Sequence, residues 1–282
     1  MPPSQNEEDL YFVDVHLHYQ PKNDPARWKR LRRALLKSQK KMNDEAQRQW
    51  LEKPLGGKSY GSIGHLPGSR VGAGDHHISS AQAKIVLEKV RDKHDVVFVT
   101  EKLDGSNVCV ANIDGKIIPL IRAGYPASGS SHLQHRYFFA WVLDNISKFD
   151  FILPGMRLCG EWLAQVHSIR YPNIENPFIA FDLFKNKKDR CSWDEMQTLC
   201  IKNDIPTAFL LSKGPSCSIE EAMELLGTYG HHGAIDEAEG AVWRIERKGV
   251  CDFLGKYVRP GKKDGEYFDN IQWNWKPTKK ED

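Results

Sequence analysis

The chain has 282 residues, 40% of them hydrophobic, and a formal net charge of +3 at pH 7. This length and apolar content predict an ordinary globular protein with a proper core. The N-terminus lacks the pattern of a secretory signal and no stretch is apolar enough to span a bilayer, so we expect an intracellular protein, cytoplasmic or, in a eukaryote, nuclear, with no membrane partner. The six cysteines lack metal-like spacing and are expected to be reduced core thiols.

The N-terminal quarter carries an excess of lysine and arginine, mostly between residues 22 and 53. Apolar residues recur there at helical intervals from Pro25 to Leu51, which predicts a basic helix that ends before Pro54. Such a helix fits two compatible roles, a solvated amphipathic element or a phosphate-binding one. We therefore predict a basic, mainly helical extension over residues 1–57, a main domain over 58–262 and a basic Trp-containing tail over 263–282.

The main domain begins with a Gly-, Pro- and Ser-rich segment at 58–75, which predicts a loop at the rim of a site. A helix over 81–91 and a buried strand over 96–99 follow, and Lys102 is expected just past the end of that strand. Further strands are predicted at 108–113, 117–122, 156–163, 177–183, 239–246 and 251–258, and helices at 132–147, 192–203 and 218–226. Ser192 with Glu195 and Ser218 with Glu221 predict capping boxes. The alternation indicates a mixed α+β fold.

Lys102 is the candidate nucleophile. A lysine acts as a nucleophile when its neutral amine is populated, through partial desolvation or nearby cations. A position beside a buried strand is expected to half-bury the side chain. Gly105, which follows Asp104 in a tight turn, lets the backbone approach a phosphate-bearing ligand closely.

The segment Lys102-Leu103-Asp104-Gly105 resembles the KxDG nucleotidyl-acceptor motif of DNA ligases, RNA ligases and mRNA capping enzymes. The later motifs of these covalent nucleotidyltransferases have counterparts in the same order. The matching segments are 121–124 with Arg122, 160–162 with Glu161, 178–182 with Phe181, 239–242 with Glu239, and 255–259 with Lys256. The resemblance covers about residues 58 to 260.

The resemblance implies an adenylyltransferase fold, with antiparallel sheets flanked by helices and an ATP cleft between the sheets. ATP is the implied cosubstrate, and Mg²⁺ or Mn²⁺ the implied cation, with Glu239 and Glu161 as its ligands. The residues implied in nucleotide binding are Glu101, Lys102, Asp104, Gly105, Asn107, Arg122, Glu161, Phe181, Glu239, Val242 and Lys256.

These residue types also suit a nucleotide on chemical grounds. Arg122 and Lys256 can neutralise phosphates as charge develops on leaving pyrophosphate. Carboxylates are the ligands that Mg²⁺ prefers. Phe181 offers a flat face for adenine, and Val242 can cover the other side.

Asn107 stands where DNA ligases usually carry an arginine, and the segment is similar to that of the phage-type RNA ligase 2 branch. In that branch the residue at Glu101 reads the amino group of adenine. The implied reaction forms lysyl-AMP on Lys102, transfers AMP to a 5′-phosphate, and joins that end to a 3′-hydroxyl. The expected partner is RNA with nicked or broken ends, with DNA strands as a possibility. The alternatives are a DNA nick ligase and a non-catalytic RNA-binding protein of the same fold.

The sequence departs from the family pattern in two places. The fifth motif commonly has a second lysine two residues away, whereas Leu254 and Val258 flank Lys256. Either Arg259 or Lys262 substitutes for it, or the contact with phosphate is weaker. The short tail also leaves no room for the usual C-terminal domain. The histidines of residues 14–18 and 75–77 lack zinc-like spacing, and we expect loop or phosphate contacts from them.

Overall fold

The structure, a computed structural model, describes residues 52–263 and 271–276. The predicted basic helix and most of the predicted tail lie outside these residues. Lys53–Lys276 form one compact unit. Among the residues described, no helix combines the length and the apolar character that a membrane crossing requires.

Two β-sheets organise the unit, and the α+β prediction is confirmed. Sheet A has the strand order β1-β9-β8-β2-β7, and sheet B has the order β4-β3-β5-β6. Every pairing is antiparallel except that of β1 with β9. The strands are β1 Gly64–His65, β2 Asp95–Lys102, β3 Ser106–Ile113, β4 Lys116–Ile121, β5 Arg157–Trp162, β6 Phe178–Phe184, β7 Leu210–Gly214, β8 Gly240–Arg247 and β9 Val250–Val258.

Four α-helices lie between the strands of the described region. They are α1 Ser80–Leu87, α2 Leu133–Asp144, α3 Trp193–Lys202 and α4 Ile219–Leu226. The capping box predicted at Ser218 is confirmed, since its hydroxyl accepts from the N–H of Glu221 and the Glu221 side chain accepts from Ser218. The box predicted at Ser192 is only half formed, because the Glu195 carboxylate pairs with Lys185 at 2.9 Å.

Three sequence predictions about strands need correction. Gly64–His65 lie in the predicted loop but form β1 by pairing with Gly255 and Lys256. Strand β7 was not predicted, and it forms the edge of sheet A beside β2. Lys102 is the last residue of β2 rather than the first one beyond it, because pairing with β8 continues to Gly240.

Aromatic side chains fill the core between the sheets and the helices. Phe138 and Trp141 of α2 pack on Trp162 and Phe178 of sheet B with ring centroids 5.3 to 5.8 Å apart. The segment 271–276 extends this cluster, since Trp275 lies 5.5 Å from Trp162. Buried aromatic area of this kind dominates core energetics and holds sheet B rigid behind the site.

Arg157 fastens the segment before β1 to sheet B. Its guanidinium is buried and donates hydrogen bonds to the backbone carbonyls of Ser59, Asn186 and Lys187 at 2.9, 2.9 and 3.2 Å. It also lies over the Phe184 ring, 3.7 Å from the centroid. A buried cation is stable only when its donors are satisfied, and here three carbonyls satisfy them.

We expect Arg157→Met to lower the free energy of unfolding by about 3 kcal/mol, because one buried and two partly buried hydrogen bonds from its guanidinium to backbone carbonyls are lost. Urea denaturation measures this difference. Lys116→Met, at an exposed position of β4, is the matched control and should change stability by less than about 0.5 kcal/mol. Equal stability of the Arg157 variant and the control would contradict this role.

Candidate active site

The chain passes from sheet A to sheet B within a few residues, and Lys102 stands at this crossing. Strand β2 ends at Lys102, paired with Gly240 of β8 in sheet A. Strand β3 begins at Ser106, paired with Trp162 of β5 in sheet B. The connection therefore consists of residues 103–105, and it places the lysine where the two sheets face each other.

Gly105 is required at this crossing by close packing. A Cβ atom at this position would lie 2.5 Å from the carbonyl oxygen of Trp162, a distance that side chains do not tolerate. The N–H of Gly105 donates to Oε1 of Glu161 at 3.2 Å. The glycine thus allows β2, β3 and β5 to converge and helps to orient the Glu161 carboxylate.

A cavity of about 510 Å³ opens beside Lys102 between the two sheets. Nine of the eleven predicted nucleotide-binding residues line it, and they are Glu101, Lys102, Gly105, Asn107, Arg122, Glu161, Phe181, Val242 and Lys256. Three residues of the segment predicted to form the rim, Tyr60, Gly61 and Ile63, also line the cavity. Fold and packing have brought together residues from seven separate segments of the sequence, as a ligand site requires.

The remaining two predicted residues, Glu239 and Asp104, lie next to the lining residues. Glu239 accepts a hydrogen bond from Lys102, with Nζ and Oε2 separated by 2.7 Å. The Lys102 side chain is 24% exposed and that of Glu239 is 9% exposed, so this ion pair is largely shielded from water. Lys102 is accordingly held in one position rather than moving freely in the cavity.

The half-buried position of Lys102 was expected, but the expected increase in neutral amine is wrong for the protein without ligand. Burial acts to lower the lysine pKa, yet the nearby carboxylates of Glu239 and Glu161 outweigh it, and the pKa is raised. Lys102 is thus a protonated ammonium here.

Burial and neighbouring charges act in opposite directions on the pKa values of the carboxyl groups around Lys102. Burial raises the pKa of Glu161 to about 8, against the attraction of Lys102, while Glu239 adds repulsion. Burial likewise raises the pKa of Glu239, although Lys102 opposes it. Burial lowers the pKa of Lys256, as does the nearby Lys102 cation. Both signs of charge are therefore poorly solvated, which favours the binding of a ligand that compensates them.

Glu101, in β2, is only 3% exposed. Its Oε2 accepts a hydrogen bond from the N–H of His231 at 2.8 Å. Gly230 has a φ of +67°, and a Cβ there would lie 2.1 Å from Oε1 of Glu101. Burial raises the pKa of Glu101 to about 7, against the lowering effect of the His231 N–H. The close backbone of residues 230–231 fixes the carboxyl group in place.

The side chains of Phe181 and Arg122 are accessible to a ligand in the cavity. Phe181 is half-buried and packs edge-on against Tyr60, with ring centroids 5.2 Å apart and an interplanar angle of 73°. Arg122 is exposed, and its Nη2 lies 3.4 Å from Oγ of Ser62. Val242 pairs with Lys256 across β8 and β9. The cavity therefore offers an aromatic ring, an apolar side chain and two cations.

The two substitutes suggested for the second lysine of the fifth motif have different partners. Arg259 pairs with Glu237 at 2.8 Å and also donates to the carbonyl of Ala238. Lys262 is buried and pairs with Asp104, with Nζ and Oδ2 3.0 Å apart. The same Asp104 oxygen accepts from the N–H of Ser168 at 2.8 Å. Lys262 thus adds a cation to the Lys102 loop, whereas Arg259 is engaged elsewhere.

The sequence analysis missed several residues of the cavity. Trp193, Arg244 and His135 line it but belong to no recognised motif. Arg244 is buried in an ion-pair network with Asp182 and Glu246, at 3.0 and 2.6 Å. An arginine within an otherwise apolar buried strand was a signal for such a network. His135 lies within a predicted helix and carried no such signal.

The donor groups next to Lys102 fit a divalent cation bound mainly through a ligand's oxygens. In the part of the chain described, no group of three or more His, Cys, Asp and Glu residues is arranged to hold a metal ion. Glu161 and Glu239 supply hard carboxylate oxygens, and Mg²⁺ commonly uses one or two of these together with phosphates and water.

In the 75–77 segment, Asp75 contacts His65 at 3.0 Å and Lys256 at 3.7 Å.

Comparison with protein families agrees with this arrangement. The RNA ligase family model matches residues 95–258, which is more than half of the chain. The chain belongs to the RNA ligase family. The matched region includes the crossing at Lys102 and ends with β9, and the adenylyltransferase fold predicted from the motifs is confirmed. Comparison with curated proteins found no match.

Solved structures of RNA ligases resemble this family member at low sequence identity. An archaeal ATP-dependent RNA ligase is 20% identical, with a TM-score of 0.47 over 71% of this chain and 48% of that one. A Naegleria gruberi RNA ligase with PPi is 20% identical, with a TM-score of 0.46 over 70% of this chain and 59% of the other. A mutant of that ligase with ATP and Mn is 19% identical, with a TM-score of 0.47 over 72% and 60% of the two chains. The chain spans between 48% and 60% of these relatives.

The raised pKa of Glu101 predicts how the stability of the folded unit depends on pH. The folded carboxyl keeps its proton up to about pH 7, whereas an unfolded glutamate loses it near 4.5. Stability is thus lost as the pH rises between these values and stays lost above the folded pKa. We expect Glu101→Gln to raise the free energy of unfolding by about 2 to 3 kcal/mol at about pH 8, with a smaller gain at about pH 5.

Urea denaturation of wild type and variant at both pH values measures this difference. Glutamine keeps an oxygen that can accept the His231 N–H, so the comparison isolates the charge. Glu88→Gln, at an exposed position, is the control. A gain of the same size at both pH values would contradict the burial of an ionised carboxylate.

Proposed function

We propose that this chain is an ATP-dependent RNA ligase that joins 5′-phosphate and 3′-hydroxyl ends through AMP bound to Lys102. The observation that carries the proposal is the convergence of Lys102, a buried carboxyl on Glu101, an aromatic ring on Phe181 and cations on Lys256 and Arg122 around one cavity. A purine nucleoside triphosphate has a chemical group that suits each of them.

In this proposal adenine lies against Phe181 and Val242, with its amino group at Glu101. The ribose lies towards Glu161, and the phosphates lie towards Lys256 and Arg122, with Asp104, Gly105 and Asn107 shaping the loop. The lining of the cavity supports this order, because apolar, carboxyl and cationic groups each have a matching part of ATP.

The first step forms a bond between Nζ of Lys102 and the α-phosphorus of ATP. The bond from that phosphorus to the pyrophosphate oxygen breaks, and pyrophosphate leaves with the electron pair. Lys102 must lose a proton, and the carboxylate of Glu239, which lies 2.7 Å from Nζ and whose pKa is raised, is a suitable acceptor. AMP then moves to an RNA 5′-phosphate, and a 3′-hydroxyl displaces it to seal the strand.

Mg²⁺ or Mn²⁺ bound by Glu239 and Glu161 would neutralise phosphate charge and compete with Lys102 for the Glu239 carboxylate. Without a metal ion, Lys102 and Glu239 form an ion pair of 2.7 Å, so a cation that binds Glu239 would have to displace the lysine. A lysine released from that pair loses the interaction that raises its pKa.

The polynucleotide is proposed to be RNA with nicked or broken ends, bound in part by the basic segment within residues 1–57. Residues 58–262 are proposed as the catalytic domain and 263–282 as a separate tail. Phosphate contacts from lysine and arginine suffice for sequence-independent binding. A DNA nick ligase and an RNA-binding protein without catalysis are the alternatives to be tested.

Transfer of label from α-phosphate-labelled ATP tests the first step. With Mg²⁺ the wild type should gain acid-labile label, and Lys102→Met should lose at least about 1,000-fold of it, since no other group replaces the covalent nucleophile. Lys213→Met, which removes an exposed lysine paired with Asp194, is the matched control and should label normally. An unlabelled wild type, or equal labelling of Lys102→Met, would sink the mechanism and favour the non-catalytic alternative.

Strand preference is tested by joining a nicked duplex whose 3′-hydroxyl strand ends in RNA or in DNA. We expect the RNA end to be joined at least about tenfold faster, equivalent to about 1.4 kcal/mol of transition-state discrimination. Single-turnover rates with pre-formed enzyme-AMP give this ratio. Equal rates, or faster joining of DNA, would favour the DNA nick ligase.

A further inference from the structure

A loop over residues 163–171, here called the supporting loop, follows β5 and packs against the crossing at residues 103–105. Leu103 of the crossing is only 5% exposed and lies in one hydrophobic cluster with three side chains of this loop. These three are Leu163, Ile169 and Tyr171. Burial of their apolar area holds the crossing and the supporting loop together.

The supporting loop also binds Asp104 through two hydrogen bonds. The N–H of Ser168 donates to Oδ2 of Asp104 at 2.8 Å. The N–H of Asp104 donates to the hydroxyl oxygen of Tyr171 at 3.3 Å. Because Asp104 is only two residues from Lys102, the supporting loop helps to set where the backbone after the lysine lies.

Residues 271–276, which are part of the proposed tail, hold the supporting loop in turn. Val166 donates its N–H to the carbonyl of Gln272 at 3.0 Å. The carbonyl of Ala164 accepts the N–H of Asn274 at 2.9 Å. A loop outside the sheets must find partners for its backbone groups elsewhere, and this short segment supplies several of them.

The side chain of Asn274 joins the two ends of the supporting loop. Its Nδ2 donates to the carbonyl of Leu163 at 2.7 Å, and its Oδ1 accepts the N–H of Tyr171 at 2.8 Å. Leu163 and Tyr171 are the first and last residues of the loop. An amide provides a donor and an acceptor in fixed directions, so a side chain that lacks both groups cannot replace it. Asn274 thereby helps to fix Tyr171, whose hydroxyl meets Asp104.

We propose that Asn274 is a positioning residue for the formation of lysyl-AMP, acting through the supporting loop on Asp104 and thereby on Lys102. The inference rests on the proposed function, since it concerns the first step of that reaction. Asn274 itself is not among the residues that line the cavity. A displacement of about 1 Å at the reacting atoms can cost about a hundredfold in rate, so a contact remote from the substrate is able to affect this step.

Single-turnover labelling at saturating concentrations of α-phosphate-labelled ATP tests the inference. It separates the rate constant of lysyl-AMP formation from the fraction of the protein that takes label. Asn274→Ala should lower the rate constant by at least about tenfold, because Lys102 is less well placed. The labelled fraction should stay near that of the wild type. A merely structural role would instead lower the labelled fraction, since unfolded molecules take no label and folded ones react normally.

Asn203→Ala is the matched control. It removes a hydrogen bond of the same kind, from Nδ2 of Asn203 to the carbonyl of Leu199 at 2.8 Å, at the end of α3. We expect this variant to label with the rate constant of the wild type. The comparison therefore separates the loss of an asparagine hydrogen bond in general from the loss of the contact with the supporting loop.

Tyr171→Phe tests the same link by a smaller change, and it decides the question if Asn274→Ala does not fold. It removes only the hydroxyl that accepts the Asp104 N–H. The rate constant should fall by about threefold or more, the effect of one hydrogen bond. The double variant should lose less than the product of the two single losses, because both changes act through the supporting loop.

A rate constant within about twofold of the wild type in Asn274→Ala, whatever its labelled fraction, would overturn the inference. Losses that multiply in the double variant would do so as well, and so would a loss of the same size in Asn203→Ala. If Asn274→Ala does not fold, an unchanged rate constant in Tyr171→Phe has the same meaning. If the wild type itself takes no label, the proposed function fails and this inference fails with it.

Discussion

The close passage of the chain from one sheet to the other at residues 103–105 is the constraint on which the site depends. The backbone of Gly105 passes so near the Trp162 carbonyl that no side chain fits there. This proximity brings the end of β2, the start of β3 and the end of β5 to one point. Lys102 is therefore held between two rigid sheets, and the loop has little freedom to move it.

The charged groups around Lys102 favour the binding of a charged ligand. In the protein by itself, Glu239 satisfies the ammonium group and raises its pKa. The adjacent carboxylates are themselves disfavoured by burial. Such a balance is sensitive to any added phosphate or cation, because every partner is already poorly solvated. Lys102, the proposed nucleophile, is thus protonated in the protein by itself and would have to lose its proton before it reacts.

Supporting groups behind the cavity maintain this arrangement. The buried Arg244 joins Asp182 of sheet B to Glu246 of sheet A, so that one guanidinium ties both sheets together. Lys262 neutralises Asp104 beside the crossing, and residues 230–231 fix the Glu101 carboxyl. Apart from that of Arg244 with Glu246, each contact joins residues far apart in sequence. The precision of the site is consequently a property of the packed unit.

The sequence by itself determined the α+β class and most of the strands, and it predicted nine residues that line one cavity, because local hydrophobic periodicity and an ordered series of motifs are present along the chain. Tertiary structure alone decided the pairing of β1, the existence of β7 and the partners of Arg259 and Lys262. It also decided the charge state of Lys102, which a desolvation argument predicts wrongly when Glu239, 137 residues away, is not considered. The local sequence pattern indicates which face of a helix or strand is apolar. The pairing of strands and the pKa values of side chains depend instead on groups that only folding brings within a few ångströms of each other.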